Sequence, residues 1–98
     1  MTETEHRIRH ALTARFAPEA LDVVDDSARH AGHAGMAGRA DAGGGTHFNV
    51  RIIAKAFEGM GRVARHRAVN ETLADEFALG LHALSIVAQT PGEAARSG

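Results

Sequence analysis

The chain has 98 residues, a net charge of −1 and no cysteine, and it is 44% hydrophobic and 23% charged. This length suits a single domain over residues 1–98 with a modest core, and the balanced charge gives no global reason to bind nucleic acid. The lack of cysteine excludes disulfides, thiol catalysis and any metal centre built from the chain's own thiolates. No segment has the roughly 20 apolar residues of a membrane span and no signal-peptide core is present, so we expect a cytoplasmic protein without membrane contact.

The N-terminal region predicts a helix followed by a strand. Thr2 and Glu5 have the spacing of a capping box at the start of a helix over about residues 3–15, and Pro18 ends it. The apolar residues of this helix recur every four positions and mark its buried face: Ile8, Leu12 and Phe16. The β-branched run over residues 21–25 then predicts a short strand.

Residues 26–46 form a long connection that is rich in glycine and histidine. The stretch 28–48 holds six of the eleven glycines and three of the seven histidines, which are His30, His33 and His47. A hairpin loop usually has roughly 2–5 residues, so a connection of this length is normally either functional or mobile. The residues alone leave both interpretations open, a linker or an arm that carries metal ligands.

The second half of the chain predicts a strand, a helix and another strand. Alternation from Phe48 to Ile52 gives the clearest strand pattern in the chain. A helical pattern follows over residues 64–79, where Val69, Leu73 and Phe77 share one face and Gly80 ends the helix. A second β-rich run over residues 81–89 predicts the third strand, in which His82 falls on the same face as Leu84, Ile86 and Ala88.

This element order predicts an α+β fold with a three-stranded mixed sheet covered by helices on one face. The first two strands pair antiparallel, and the helix between the second and third favours a parallel pair. Pro91 suits the first position of one short helical turn, followed by a frayed tail over residues 92–98.

Three segments of the sequence together resemble the BolA family. They are "THFNV" from Thr46, "FEGMGRVARHRAVNETLADEF" from Phe57, and "GLHALSIVAQTP" from Gly80. The patterns RHRxVxxxL and xHALxxxxxTP occur in the family's order and carry most of the resemblance. It implies a fold of the type-II KH kind. It also implies a monothiol glutaredoxin as partner, with which proteins of this kind share a [2Fe–2S] cluster.

In that complex the glutaredoxin and glutathione supply sulfur ligands and the BolA-like protein supplies nitrogen. By position, the resemblance places the C-terminal ligand on His82 and the loop ligand on His30, with His33 as the alternative. His47 is expected to support a neighbouring ligand. Two neutral histidines make a weak site, so we expect no cofactor in the isolated chain.

A local basic region gives a second candidate interface. Between Arg51 and Arg67 five basic residues face a single acid, Glu58. The candidate contact residues of this region are Arg62, Arg65, His66, Arg67 and Asn70. These residues are expected to contact either phosphate groups on DNA, as in BolA-like transcription regulators, or the carboxylates of the partner's glutathione. The alternative is that they form a solvated helix start without a binding role. No arrangement typical of an enzyme active site is present, so we expect no catalysis.

Overall fold

The computed structural model describes residues 3–26 and 47–97, which form helices packed on one sheet. The elements in chain order are α1 (Glu3–Phe16), β1 (Ala20–Asp25), β2 (His47–Ile53), a 3₁₀ turn (Lys55–Phe57), α2 (Arg62–Thr72), α3 (Ala74–Ala78), β3 (Ala83–Gln89) and α4 (Pro91–Ser97). The predicted α+β class is therefore confirmed. Apart from Asp26, the connection predicted over residues 26–46 lies outside the described residues, as does the capping residue Thr2.

The sheet has the order β1-β2-β3, with β2 in the centre. β1 pairs antiparallel with β2, Val23 lying opposite Val50, and β3 pairs parallel with β2, Val50 lying opposite Ile86. Both pairings agree with the prediction, because α2 gives the chain the length it needs to cross back and start β3 at the same end as β2.

One face of the sheet carries the core and the other faces solvent. Phe48, Val50 and Ile52 of β2 are all buried, with exposed fractions of 2% or less. They pack with residues of both covering helices in one cluster that includes Ile8, Leu12, Phe16, Ala68, Val69 and Leu73. On the opposite face Val24 and Val87 remain 43% and 49% exposed. The helices thus cover one face only, as the alternating pattern predicts.

A left-handed residue ends α1. Ala17 has φ of 46° and its N–H donates to the Thr13 carbonyl at 3.0 Å, so it occupies the position where helices usually place glycine. Pro18 follows and prevents the helix from continuing.

The segment predicted as one helix over residues 64–79 forms two helices, and Phe77 is not buried with Val69 and Leu73, with which it was predicted to share a face. The chain leaves helical geometry at Leu73, where φ is −102° and ψ is 16°, and α3 begins at the next residue. Glu76 takes the inward position instead, because its carboxylate accepts hydrogen bonds from Arg7 Nε at 3.0 and 3.1 Å. Phe77 is therefore 38% exposed, and Leu81, which is 6% exposed, fills the core beyond the helix.

The C-terminal segment forms a seven-residue helix rather than one turn with a frayed tail over residues 92–98. Thr90 and Glu93 close a reciprocal capping box that the prediction did not include. The Glu93 N–H donates to Thr90 Oγ1 at 3.2 Å, and the Thr90 N–H donates to Glu93 Oε1 at 2.9 Å. This box stabilises the first turn of α4 and explains why the segment is ordered.

Candidate functional site

Two histidines lie side by side where the parallel strands begin. His47 is the first residue of β2 and lies opposite Ala83, the first residue of β3, so His82 is adjacent to it at this edge. The two imidazole rings are stacked with centroids 5.7 Å apart and an angle of 22° between their planes. Both side chains are exposed. The structure thus brings together the predicted ligand His82 and the predicted supporting residue His47.

The same edge anchors both ends of the segment that carries the other two predicted ligands. Asp26 and His47, the residues that flank segment 27–46, line one pocket of about 260 Å³ together with Ala83 and Ser85. His30 follows Asp26 by four residues, and an extended chain of four residues spans at most about 14 Å. His30 and His33 lie outside the described residues, so the choice between them stays a prediction.

The donor set at this edge fits a shared metal centre better than a complete one. Within residues 3–26 and 47–97 no three histidine or carboxylate side chains form a cluster that holds a metal ion. Imidazole suits iron of borderline softness, and two histidines on one iron with thiolates on the other is a known cluster ligation. The chain has no thiolate of its own. The residues present therefore fit a cluster only if another molecule brings the sulfur ligands.

Four of the five predicted basic-region residues lie along one side of α2. Arg62, Arg67 and Asn70 are exposed and His66 is half-buried. These four line a groove of about 630 Å³ together with Val63, which is 68% exposed, and one acid, Glu71. The surface they form, here called the α2 stripe (Arg62, His66, Arg67 and Asn70), is basic and accessible.

Arg65 differs from these four, because its guanidinium group is bound inside the protein. Its side chain is only 12% exposed and forms two hydrogen bonds with the Glu93 carboxylate, Nη1 to Oε1 at 2.6 Å and Nη2 to Oε2 at 3.0 Å. Nε donates to the Met60 carbonyl at 2.8 Å and Nη1 to the Ala88 carbonyl at 3.1 Å. Contact with a phosphate would require breaking these bonds, so the structure gives Arg65 a role in joining α2 to β3 and α4.

The ion pair also changes the proton affinity of both partners. The hydrogen bonds from Arg65 and from the Thr90 main chain lower the pKa of Glu93 to about 2. The same pair raises the pKa of Arg65 above its usual value, mainly through the Glu93 hydrogen bond. Sequence reasoning missed Glu93, although T-x-x-E over residues 90–93 is the standard capping-box pattern.

Residues 12–93 match a protein-family model described as BolA-like protein. A curated relative, "Protein BOLA1, chloroplastic" of Arabidopsis thaliana, is 53% identical over 87 residues, which cover 89% of this chain and 53% of the relative. The "SufE-like protein 1, chloroplastic/mitochondrial" of the same plant is 52% identical over 87 residues, or 89% of this chain and 24% of the relative. The chain thus spans about half and about a quarter of these two proteins.

Two further comparisons bear on fold and function. "DNA-binding transcriptional regulator BolA" of Vibrio cholerae is 40% identical over 86 residues, which cover 88% of this chain and 74% of the relative. The solved structure of BolA1 from Arabidopsis thaliana superposes with a TM-score of 0.80 at 49% identity, covering 95% of this chain and 97% of that one. Among the described residues, no helix is long and apolar enough to cross a membrane. By sequence and by fold, the chain belongs to the family of BolA-like proteins.

Proposed function

We propose that this protein is the partner of a monothiol glutaredoxin and shares a [2Fe–2S] cluster with it, in iron–sulfur cluster assembly, trafficking or iron sensing. His82 supplies one nitrogen ligand and His30 the other, with His33 as the alternative to His30. The observation that carries the proposal is the position of His82, at the edge from which residues 27–46 depart and to which they return.

The chemistry of the donor set supports this division of labour. A bound cluster would supply an iron that accepts imidazole nitrogen, and the glutaredoxin and its glutathione would supply the sulfur ligands that this chain lacks. His47 stacks against His82 and would restrict the orientation of the ligand ring. A BolA domain also occurs within a SufE-like protein, and this combination hints at iron–sulfur pathways. The proposed role is non-enzymatic and cytoplasmic.

Anaerobic reconstitution tests the proposal. The protein is mixed with a monothiol glutaredoxin, glutathione, iron and sulfide, and the visible circular dichroism is compared with that of the glutaredoxin alone. We expect a distinct spectrum that is lost in His82→Ala and in only one of His30→Ala and His33→Ala. His10→Ala, an exposed histidine of α1, is the matched control. A spectrum unchanged by all three ligand substitutions would contradict the proposal.

The α2 stripe favours a second candidate function, DNA binding in transcription regulation. The Vibrio cholerae relative bears that function in its name, and the stripe exposes basic side chains along one helix. Affinity should fall steeply with added salt, and loss of each phosphate contact should reduce the slope of log affinity against log salt by about one unit. We expect Arg62→Ala and Arg67→Ala to weaken binding and His82→Ala to leave it unchanged. Salt-independent binding would exclude this candidate.

A further inference from the structure

Strand β3 has a free edge whose backbone groups point away from the sheet. The Gln89 carbonyl accepts a hydrogen bond from the Ala54 N–H at 3.0 Å, so Gln89 and every second residue before it direct their backbone groups toward β2. The intervening residues Leu84, Ile86 and Ala88 therefore direct theirs outward. Among the described residues, none forms a hydrogen bond with the outward groups of Leu84 and Ile86.

The opposite edge of the sheet is protected. On β1 the outward carbonyls of Leu21 and Val23 accept hydrogen bonds from Arg9 Nη1 at 3.4 Å and Nη2 at 3.3 Å. β1 also carries two acids, whereas the sequence of β3, "ALSIVAQ", has no charge and no proline. Natural proteins protect edge strands with such charges, prolines or covering groups, because an open edge pairs with other chains. Among the residues that the structure describes, the one hydrogen bond to an outward group of β3 is at Ala88, whose carbonyl accepts from Arg65.

A groove runs beside the C-terminal half of the β3 edge, between it and the start of α2. Its volume is about 450 Å³, and its lining includes Met60, Arg62, His66, Ile86, Ala88 and Glu93. Neighbouring strands lie about 4.8 Å apart, so an extended segment paired with β3 would occupy this groove. The groove thus places the outward backbone groups of Ile86 beside the apolar side chain of Met60 and the polar side chains of Arg62 and His66.

The charges of the groove indicate the chemistry of its occupant. Glu93 pairs with Arg65, and the other arginine in the lining of the groove, Arg62, is exposed. A phosphate chain would lie near the Glu93 carboxylate, and a second copy of the protein would bring its own helices against α2. We infer that the β3 edge binds an extended segment of a partner protein by strand addition, with an acidic side chain of that segment at Arg62. This inference does not depend on the shared cluster.

Peptide selection followed by nuclear magnetic resonance tests the inference on the full chain. A phage-displayed library of random linear decapeptides is selected against the immobilised protein, and the most enriched peptide is synthesised. We expect it to shift the amide resonances of Leu84 and Ile86 and to slow their hydrogen exchange. Arg62→Glu should weaken the peptide about fivefold, because it reverses one exposed ion pair. The matched control Arg67→Glu makes the same charge change on α2 outside this groove and should have little effect.

Four results would overturn the inference. One is a library that yields no enriched peptide, and another is a peptide whose shifts fall on β1 or elsewhere on the surface. A third is a short single-stranded oligonucleotide that reproduces the shifts at Leu84 and Ile86, which would make the groove a nucleic-acid site. The fourth is shifts at these two amides that grow with protein concentration alone, which would make the occupant a second copy.

Discussion

Replacing Arg65 by methionine tests whether this arginine is structural. The substitution keeps an unbranched apolar stem but shortens the side chain and removes its hydrogen bonds to the Met60 and Ala88 carbonyls. A hydrogen bond from a charged donor stabilises a fold by about 1.5–3 kcal/mol, and the partial exposure of Arg65 favours the lower limit. Loss of these two bonds alone should therefore lower the free energy of unfolding by about 3 kcal/mol. For a domain of this size that corresponds to a melting temperature lower by about 12–24 °C.

Far-ultraviolet circular dichroism during urea and thermal unfolding measures this change, because the chain has no tryptophan or tyrosine to report by fluorescence. Arg67→Met is the matched control, since it removes the same charge from an exposed position two residues away. It should change the free energy of unfolding by less than about 0.5 kcal/mol. If both substitutions changed the free energy of unfolding by an equal and small amount, the structural role of Arg65 would be refuted. Arg65 would then again be a candidate contact residue of the basic region.

Three further measurements follow from particular residues. Because hydrogen bonds from Arg65 and from the Thr90 main chain lower the pKa of Glu93 to about 2 from the usual 4.5, the folded state releases this proton more readily than the unfolded chain. The stabilisation is complete above the unfolded pKa and is lost as the pH falls from about 4.5 to 2, so Glu93→Gln should flatten that part of the stability curve. Ala17→Gly should raise the free energy of unfolding by about 0.5–1 kcal/mol, because glycine relieves the left-handed strain at φ 46°. Leu12→Ala should lower it by about 3–4 kcal/mol by leaving a cavity in the core, whereas Leu79→Ala, at a 70% exposed position, should change it by less than about 0.5 kcal/mol. Urea titrations check each value, and equal effects at the two leucines would contradict the assignment of the core.

The sheet could be predicted because its pattern is local. Alternation at Phe48, Val50 and Ile52 identified β2 and its buried face, and the intervening helix indicated that β3 runs parallel to it. The position of His82 beside His47 then follows from parallel strands that start at one edge. The choice between His30 and His33 as the predicted loop ligand does not follow from the sequence, because no periodic pattern constrains residues 27–46.

The break between α2 and α3 could not be predicted, since the apolar spacing continues through it. Leu73 and Phe77 have the four-residue spacing of a single helix, yet only Leu73 is buried. The competing interaction is the hydrogen-bonded ion pair between Glu76 and Arg7, residues 69 positions apart in sequence. A contact between residues so far apart in the sequence leaves no periodic signal. The capping box at Thr90 and Glu93, in contrast, is a local pattern that the sequence alone predicts.

The helical spacing of Arg65 did contain information about its role. Arg65, Val69 and Leu73 are four residues apart, which places the arginine on the buried face of α2, while Arg67 and Asn70 lie on other faces and are exposed. A charge at a core-facing position needs a partner. That partner, Glu93, lies two residues beyond the end of the xHALxxxxxTP pattern, whose threonine caps α4. RHRxVxxxL and the C-terminal segment are thus one structural unit, joined by a bidentate ion pair. The orientation of the α2 stripe depends on that unit. An Arg65 variant that loses DNA or partner binding has therefore lost a direct contact only if its free energy of unfolding is unchanged.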